Sequence, residues 1–128
     1  NTEYLFNEAI MAKNIIEKYK SESDIEVITN KIEKAMHDFV KDVIKEKFRI
    51  THYGANYIHP RYLSYWICVL SDKERDRLVK DSDLMKKLRK ILEENNYPIS
   101  GRNRVYIGFE SQETVDRESN GNWFLHWK

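Results

Sequence analysis

The chain of 128 residues has only one cysteine and four glycines, and each of these low counts makes a class of protein unexpected. A single cysteine, Cys68, cannot form an internal disulfide, which favours a reducing compartment, so we expect a cytoplasmic protein. Four glycines make a phosphate-binding loop unexpected, and no P-loop, dinucleotide-binding, H-E-x-x-H or C-x-x-C motif is present. No cofactor is therefore predicted.

Long apolar runs and a charge excess of one sign are also missing. The longest apolar run, Trp66 to Leu70, is too short to cross a membrane. The N-terminal stretch NTEYLFNEAI has no basic segment followed by an apolar one, so no secretory signal is expected there. The net charge is +1, with basic and acidic residues interleaved. Because a duplex-binding protein usually carries a basic face, this balance disfavours nucleic acid as a partner.

Two long helices are predicted in the N-terminal part. Apolar residues recur at three- to four-residue spacing over residues 3–20, at Leu5, Ala9, Ala12, Ile16 and Tyr19. A second stripe, from Ile25 to Ile44, predicts a helix over residues 25–48, with N-cap oxygens supplied by residues 21–24. The short link between these helices favours an antiparallel hairpin.

A sheet and a crossover helix are predicted in the remainder. Residues 49–62 contain turn signals and indicate a loop or a short edge strand. Residues 62–70 are apolar on both alternating sets, which indicates a central strand covered on both faces. Ser71 and Glu74 form a capping box that begins a helix, which residues 81–83 interrupt and Pro98 ends.

Two further strands are predicted, over residues 103–110 and 122–127. Asn120-Gly121 between them is either a type I′ turn or the left-handed cap of a short helix over residues 112–118. The resulting order, α-α-β-α-β-β, describes a single α+β domain. An N-terminal antiparallel helical hairpin (residues 1–48) packs on a sheet of three to four strands with one crossover helix (residues 49–128).

The first candidate site lies on one face of the two C-terminal strands. Alternation gives the core face the apolar residues Val105, Ile107, Phe109, Trp123, Leu125 and Trp127. The opposite face receives Tyr106, Glu110 and His126 around Gly108, a gap without a side chain. His126 and Glu110 are then an acid–base pair, with Tyr106 or Arg117 fixing an anionic group. Alternatively, the helical hairpin covers this face and these residues have a structural role.

The second candidate site is the segment over residues 49–62, with predicted binding residues Tyr53, Tyr57, His59, Arg61 and Tyr62. Clustered Tyr and Arg are typical of protein interfaces, and with Arg104 they also suit base stacking on a single strand. His52 and His59 match no metal-binding motif, so no metal site is predicted.

A third segment, residues 110–119, offers Asp116 and Arg117 as recognition residues, or is a loop that satisfies its own backbone. Cys68 lies in the most apolar strand and is interpreted as a small core residue.

Three functions follow as hypotheses. The first is a non-enzymatic protein that binds another protein, with an inhibitor, immunity-protein or regulatory role by analogy alone. The second is a metal-independent hydrolase or nuclease, which requires His126 and Glu110 to share an open face within hydrogen-bond reach. The third is single-stranded nucleic-acid binding through the Tyr/Arg loop. The oligomeric state does not follow from the sequence.

Overall fold

The computed structural model describes residues 24–127, which form a three-stranded sheet with helices on both faces. The elements in chain order are α1 (24–40), β1 (Phe48–Tyr53), β2 (Ser64–Val69), α2 (Asp72–Val79), α3 (Ser82–Glu94), α4 (Ile99–Arg102), β3 (Tyr106–Ser111), α5 (Gln112–Ser119) and α6 (Trp123–His126). The predicted α+β class is confirmed. The predicted helix over residues 3–20, and with it the hairpin, lies outside the described residues.

The central strand of the sheet is β2, with β1 antiparallel on one side and β3 parallel on the other. The strand predicted over residues 62–70 is therefore confirmed as central. Because β2 and β3 are parallel, the chain must return to the start of the sheet between them, and α2, α3 and α4 make this crossover. Within residues 24–127, no helix combines the length and apolar character that crossing a membrane requires.

One face of the sheet forms the core with α1, α2 and α3. The buried strand residues on this face are Tyr65, Ile67, Val69, Ile107 and Phe109. The helices contribute Ile32, Met36, Val40, Leu78, Leu84, Leu88 and Leu92. The apolar stripe predicted along α1 and the predicted core face of β3 both take part in this packing.

Helix α1 ends at residue 40, although its apolar stripe predicts an end at residue 48. Residues 41–47 are held instead by groups distant in sequence. Arg77 Nη2 donates to the Val43 carbonyl at 2.8 Å, and Glu46 Oε1 accepts from the backbone N–H groups of Leu70 at 2.8 Å and Ser71 at 2.7 Å. The Val40 carbonyl still accepts from the backbone N–H groups of Val43 and Ile44, and the contacts with distant groups then lead the chain into β1.

The crossover helices begin as predicted. Ser71 caps α2, and its Oγ accepts from the backbone N–H of Glu74 at 3.1 Å. Asp81 caps α3, and its Oδ1 accepts from the backbone N–H of Leu84 at 3.0 Å. The predicted interruption over residues 81–83 is therefore a second helix start, because the Asp81 side chain supplies a new N-cap.

The C-terminal strand predicted over residues 122–127 is wrong, because residues 123–126 form the helical turn α6. Asn120 adopts φ 50° and ψ 36° and ends α5, so Asn120-Gly121 is the left-handed helix cap rather than a hairpin turn. Asn122 Oδ1 then accepts from the backbone N–H of Leu125 at 3.0 Å and begins α6. Over so few residues, helical and strand periodicity are not distinguishable.

Candidate binding surface

The outer face of the sheet, opposite the core, carries three cross-strand rows of side chains. Pairing places Tyr53, Ser64 and Tyr106 in the first row, Thr51, Trp66 and Gly108 in the second, and Arg49, Cys68 and Glu110 in the third. Side chains directly opposite each other in paired strands share a face. Tyr106, Gly108 and Glu110 therefore lie on the outer face, as predicted. Their neighbours on that face are the β1 and β2 residues of the same rows.

Helix α6 covers the third row and part of the second. Arg49 Cζ lies 4.7 Å from the ring centroid of Trp123, and the Trp66 and Trp127 ring centroids are 5.2 Å apart. His126 Nε2 lies 2.8 Å from Glu110 Oε2. One short helix thus contacts the outer face of all three strands.

The pair His126–Glu110 is within hydrogen-bond reach but is enclosed. The two side chains are only 11% and 14% exposed. His126 Nδ1 lies 3.1 Å from Ser119 Oγ, and Glu110 Oε1 accepts from Arg75 Nη1 at 3.0 Å. Burial by itself raises the pKa of Glu110, but hydrogen bonds from His126, the Ser111 backbone and Arg75 outweigh it and lower the pKa. Both ring nitrogens are engaged, and the open face that the acid–base interpretation requires is filled by α6.

The predicted recognition residue Arg117 belongs to a second polar network, at the carboxyl ends of β2 and β3. Asp72 accepts hydrogen bonds from Ser111 Oγ, from Thr114 Oγ1 at 2.7 Å and from Arg117 Nη1 at 3.0 Å. Hydrogen bonds from Ser111, Thr114 and Arg117 lower the pKa of Asp72 well below its ordinary value. Asp116 accepts a hydrogen bond from its own helix at 2.8 Å. These groups join α2 to α5.

Six large exposed side chains lie at the other end of the sheet, where β1 ends and β2 and β3 begin. We call them the tyrosine surface: Tyr53 (49% exposed), Tyr57 (59%), Ile58 (67%), Tyr62 (43%), Ile99 (81%) and Tyr106 (54%). The first row of the sheet contributes two of them, the loop between β1 and β2 contributes three, and α4 contributes Ile99. Exposed apolar groups gathered in this way are typical of interaction sites.

The loop over residues 54–63 is anchored from beneath. The hydroxyl of Tyr97, a fully buried residue, donates to the Pro60 carbonyl. Asn56 Nδ2 donates to Thr29 Oγ1 on α1 at 2.8 Å. At Gly101 in α4, a Cβ atom would lie 2.3 Å from the Pro60 carbonyl carbon, so only glycine permits this approach. A loop that is already ordered loses less conformational entropy when it binds.

A groove of about 480 Å³ continues the tyrosine surface between the sheet and α6. Its lining is Tyr53, Ser64, Trp66, Phe124 and Trp127. The Trp127 ring centroid lies 5.2 Å from that of Tyr53, and the Trp66 centroid lies 5.3 Å from that of Tyr106. Among residues 24–127, the indole N–H of Trp127 is buried without a hydrogen-bond partner. The rings of the groove and the first row are thus in mutual contact.

Gly108 explains how these rings fit over the sheet. A Cβ atom there would lie 2.6 Å from Tyr106 Cε1 and 2.9 Å from Trp66 Cζ3. The gap predicted at this glycine is therefore filled by the protein's own aromatic side chains.

The histidines of the second candidate site have separate partners. His52 Nδ1 lies 2.9 Å from Glu33 Oε1, and His59 Nδ1 accepts from the backbone N–H of Arg61 at 3.1 Å. Within the described part of the chain, no group of three or more His, Cys, Asp or Glu side chains is placed to hold a metal. Cys68 is 3% exposed, and burial raises the pKa of its thiol to about 11.

The predicted binding residues therefore fall into two groups. Seven lie in or beside the tyrosine surface: Tyr53, Tyr57, His59, Arg61, Tyr62, Arg104 and Tyr106. Glu110, Asp116 and Arg117 lie at the opposite end and are paired within the domain. The sequence predictions missed Ile58 and Ile99. The available signal was an isoleucine within two residues of a turn-forming proline, at Pro60 and Pro98.

No protein-family model, curated protein or solved structure matches this chain. Its function is therefore argued from the surface itself.

Proposed function

We propose that the protein acts in the cytoplasm by binding another protein through the tyrosine surface, without catalysing a reaction. The observation that carries this proposal is the exposure of six large aromatic and aliphatic side chains on an anchored end of the sheet. An inhibitor, immunity-protein or regulatory role fits such a protein by analogy alone. The unpaired Cys68 thiol supports the cytoplasmic assignment.

The composition of the tyrosine surface supports protein binding. Tyrosine buries a large ring with few rotatable bonds, and with tryptophan and arginine it is among the commonest residues that dominate interface energies. Arg61 Nη2 donates to Tyr62 OH at 2.8 Å, and its Cζ lies 4.8 Å from the Tyr62 ring centroid. This contact orders the rotamer-rich side chain of Arg61 before a partner arrives, which lowers the cost of binding.

The enclosed His126–Glu110 pair supports binding over catalysis. Proton transfer to a substrate requires a ring nitrogen or carboxylate oxygen within reach of the substrate. Here Glu110 and Ser119 engage the two nitrogens of His126, and Arg75 engages the second oxygen of Glu110. Because His126 lies on α6 itself, moving α6 off the sheet to admit a substrate would separate His126 from Glu110, which counts against the hydrolase or nuclease hypothesis.

The test compares three baits in lysate of the native host. The wild type is used beside a variant with Tyr57, Ile58 and Tyr62 changed to serine. The control variant carries Leu70→Ser and Val79→Ser, which remove exposed apolar side chains outside the tyrosine surface. Circular dichroism first verifies that each bait is folded. We expect one stoichiometric protein to be recovered with the wild type and the control and lost with the triple variant.

Recovery of the same partner by all three baits would place the interface elsewhere and refute the proposal. Absence of a stoichiometric protein from every bait would count against it as well. If the wild type instead recovers nuclease-sensitive material and the triple variant does not, the result would support the hypothesis of single-stranded nucleic-acid binding.

A further inference from the structure

The two segments that build most of the tyrosine surface contain no acidic residue. The chain has 21 aspartates and glutamates, yet none falls within residues 47–71 or 95–109. The same two segments contain the basic residues Lys47, Arg49, Arg61, Arg102 and Arg104. Arg61, Arg102 and Arg104 belong to the end of the sheet that carries the tyrosine surface, whereas Lys47 and Arg49 lie at the opposite end, where β1 begins beside the end of β2. The balanced net charge of the whole chain therefore conceals three arginines at this end, in segments without acidic residues.

Two of these basic side chains are used within the domain. Arg49 stacks on Trp123 beneath α6, and Arg102 Nε donates to the Tyr97 carbonyl at 2.8 Å. Arg61 pairs only with a tyrosine and a ring face, and so has no counter-ion in the described part of the chain. Arg104 is exposed two residues before β3, and within residues 24–127 its side chain has no ion pair.

The acidic groups that border this surface come from α1. Glu26 lines a cleft of about 250 Å³ together with Tyr57, and Glu33 is paired with His52 at 2.9 Å. Neither carboxylate pairs with Arg61 or Arg104. The Arg61 guanidinium thus lies over the Tyr62 ring, and Arg104 is exposed two residues before Tyr106. Among residues 24–127, neither guanidinium has a carboxylate partner.

We infer that the partner contacts the tyrosine surface with an acidic segment, whose carboxylates pair with Arg61 and Arg104 while its apolar side chains cover the rings. This inference rests on the proposed function and names the chemistry of the partner. Guanidinium and carboxylate match in planar geometry and form two parallel hydrogen bonds. Complementary charge at an interface accelerates association and selects the partner.

Phosphate groups of a nucleic acid would also pair with arginine, but the aliphatic part of the surface favours protein. Ile58 and Ile99 are more exposed than the tyrosines and do not stack on bases. A protein segment supplies side chains that cover both the aliphatic groups and the rings.

The test selects ligands from a display library of random linear peptides, with the full chain as bait. We expect the enriched peptides to combine aspartate or glutamate with aromatic or aliphatic residues. Arg61→Glu combined with Arg104→Glu should weaken their binding by about tenfold or more, since losing one charge pair of about 1.4 kcal/mol already gives that factor. The control, Lys73→Glu with Lys80→Glu, makes the same charge change on exposed positions of α2 and its cap, and should retain binding.

The outcomes separate the inference from the proposed function. Enriched peptides that lack acidic residues but are lost in the Tyr57, Ile58 and Tyr62 serine variant would overturn the inference and leave the proposed function standing. Peptides that bind this variant as well as the wild type would overturn both. Failure to enrich any peptide would overturn the inference. The protein is then offered a random pool of single-stranded oligonucleotides. If it enriches oligonucleotides from this pool, and the Arg61→Glu, Arg104→Glu variant does not, nucleic-acid binding would replace the inference.

Discussion

Replacing Tyr97 by phenylalanine removes one hydroxyl group beneath the tyrosine surface and leaves the packing of the ring unchanged. Tyr97 is fully buried, and its hydroxyl donates to the Pro60 carbonyl. The Tyr97 hydroxyl oxygen in turn accepts a hydrogen bond from Asn56 Nδ2 at 3.4 Å. Burial raises the pKa of this phenol, so the hydroxyl remains a donor across the ordinary pH range. The variant therefore tests whether this single hydrogen bond anchors the loop.

The expected cost follows from the groups left behind. The Pro60 carbonyl loses its donor, and an acceptor left unpaired in a partly buried place costs about 1–2 kcal/mol. The contribution from Asn56 is small, because this amide keeps its 2.8 Å hydrogen bond to Thr29. No cavity forms, because only an oxygen atom is removed. For a domain of this size, a loss of about 1.5 kcal/mol lowers Tm by roughly 6 °C.

The assay is urea unfolding followed by tryptophan fluorescence, with Tyr57→Phe as the matched control. Tyr57 is exposed, and its hydroxyl has no partner in the described part of the chain, so its removal should change the free energy of unfolding by less than about 0.5 kcal/mol. Amide hydrogen exchange over residues 54–63 should also accelerate in Tyr97→Phe alone. Equal stability and equal loop protection in Tyr97→Phe and wild type would refute the anchoring argument.

Two further predictions address the contacts at either end of the sheet. Gly101→Ala places a methyl group 2.3 Å from the Pro60 carbonyl carbon, so we expect the free energy of unfolding to fall by about 2 kcal/mol. The control Ser100→Ala, at an exposed position of the same short helix, should leave it nearly unchanged. Equal urea unfolding midpoints for the two variants would contradict the close approach. Asp72→Asn should destabilise the protein at neutral pH. The folded protein holds the pKa of Asp72 below its ordinary value of 3.8, so its carboxylate stabilises the fold above that pH and this contribution is lost as the pH falls further. The difference in unfolding free energy between wild type and Asp72→Asn should therefore shrink on acidification, and a difference constant with pH would contradict the assignment.

Features that depend on neighbours in sequence were predictable. The Ser71 cap, the second helix start at Asp81 and the central strand β2 all arise from side chains within a few residues of the groups they satisfy. Capping and alternation are local interactions, so a linear pattern contains the information needed to predict them.

Features that depend on distant groups were not predictable from local pattern. The stripe of α1 continues past residue 40, but Arg77 and Glu46 provide hydrogen bonds that make a turn preferable there. Residues 122–127 alternate like a strand, yet the contacts of Trp123 with Arg49 and of His126 with Glu110 favour a helical turn on the sheet. In both cases tertiary contacts overrode the local period.

The candidate surface was predicted in its residue types and missed in its electrostatics. Tyr57, Arg61 and Tyr62 were identified because aromatic and arginine residues cluster in one loop. The absence of acidic residues from residues 47–71 and 95–109 was missed because the net charge was compared over longer stretches of sequence, in which acidic and basic residues balance. In addition, α4 and β3 approach the loop only in the folded chain.

The two ends of the sheet differ in how their polar groups are compensated, and this difference is our reason for proposing the tyrosine surface as the binding surface. At the carboxyl ends of β2 and β3, Asp72 pairs with Arg117, and Glu110 pairs with His126 and Arg75. Charges compensated in this way add stability and leave little to recognise. At the tyrosine surface, Arg61 and Arg104 lack carboxylate partners among residues 24–127, and the large tyrosine and isoleucine side chains are exposed. An acidic, partly apolar segment would pair with the two arginines and cover the exposed apolar side chains, and for this reason we expect the proposed partner to bind at the tyrosine surface.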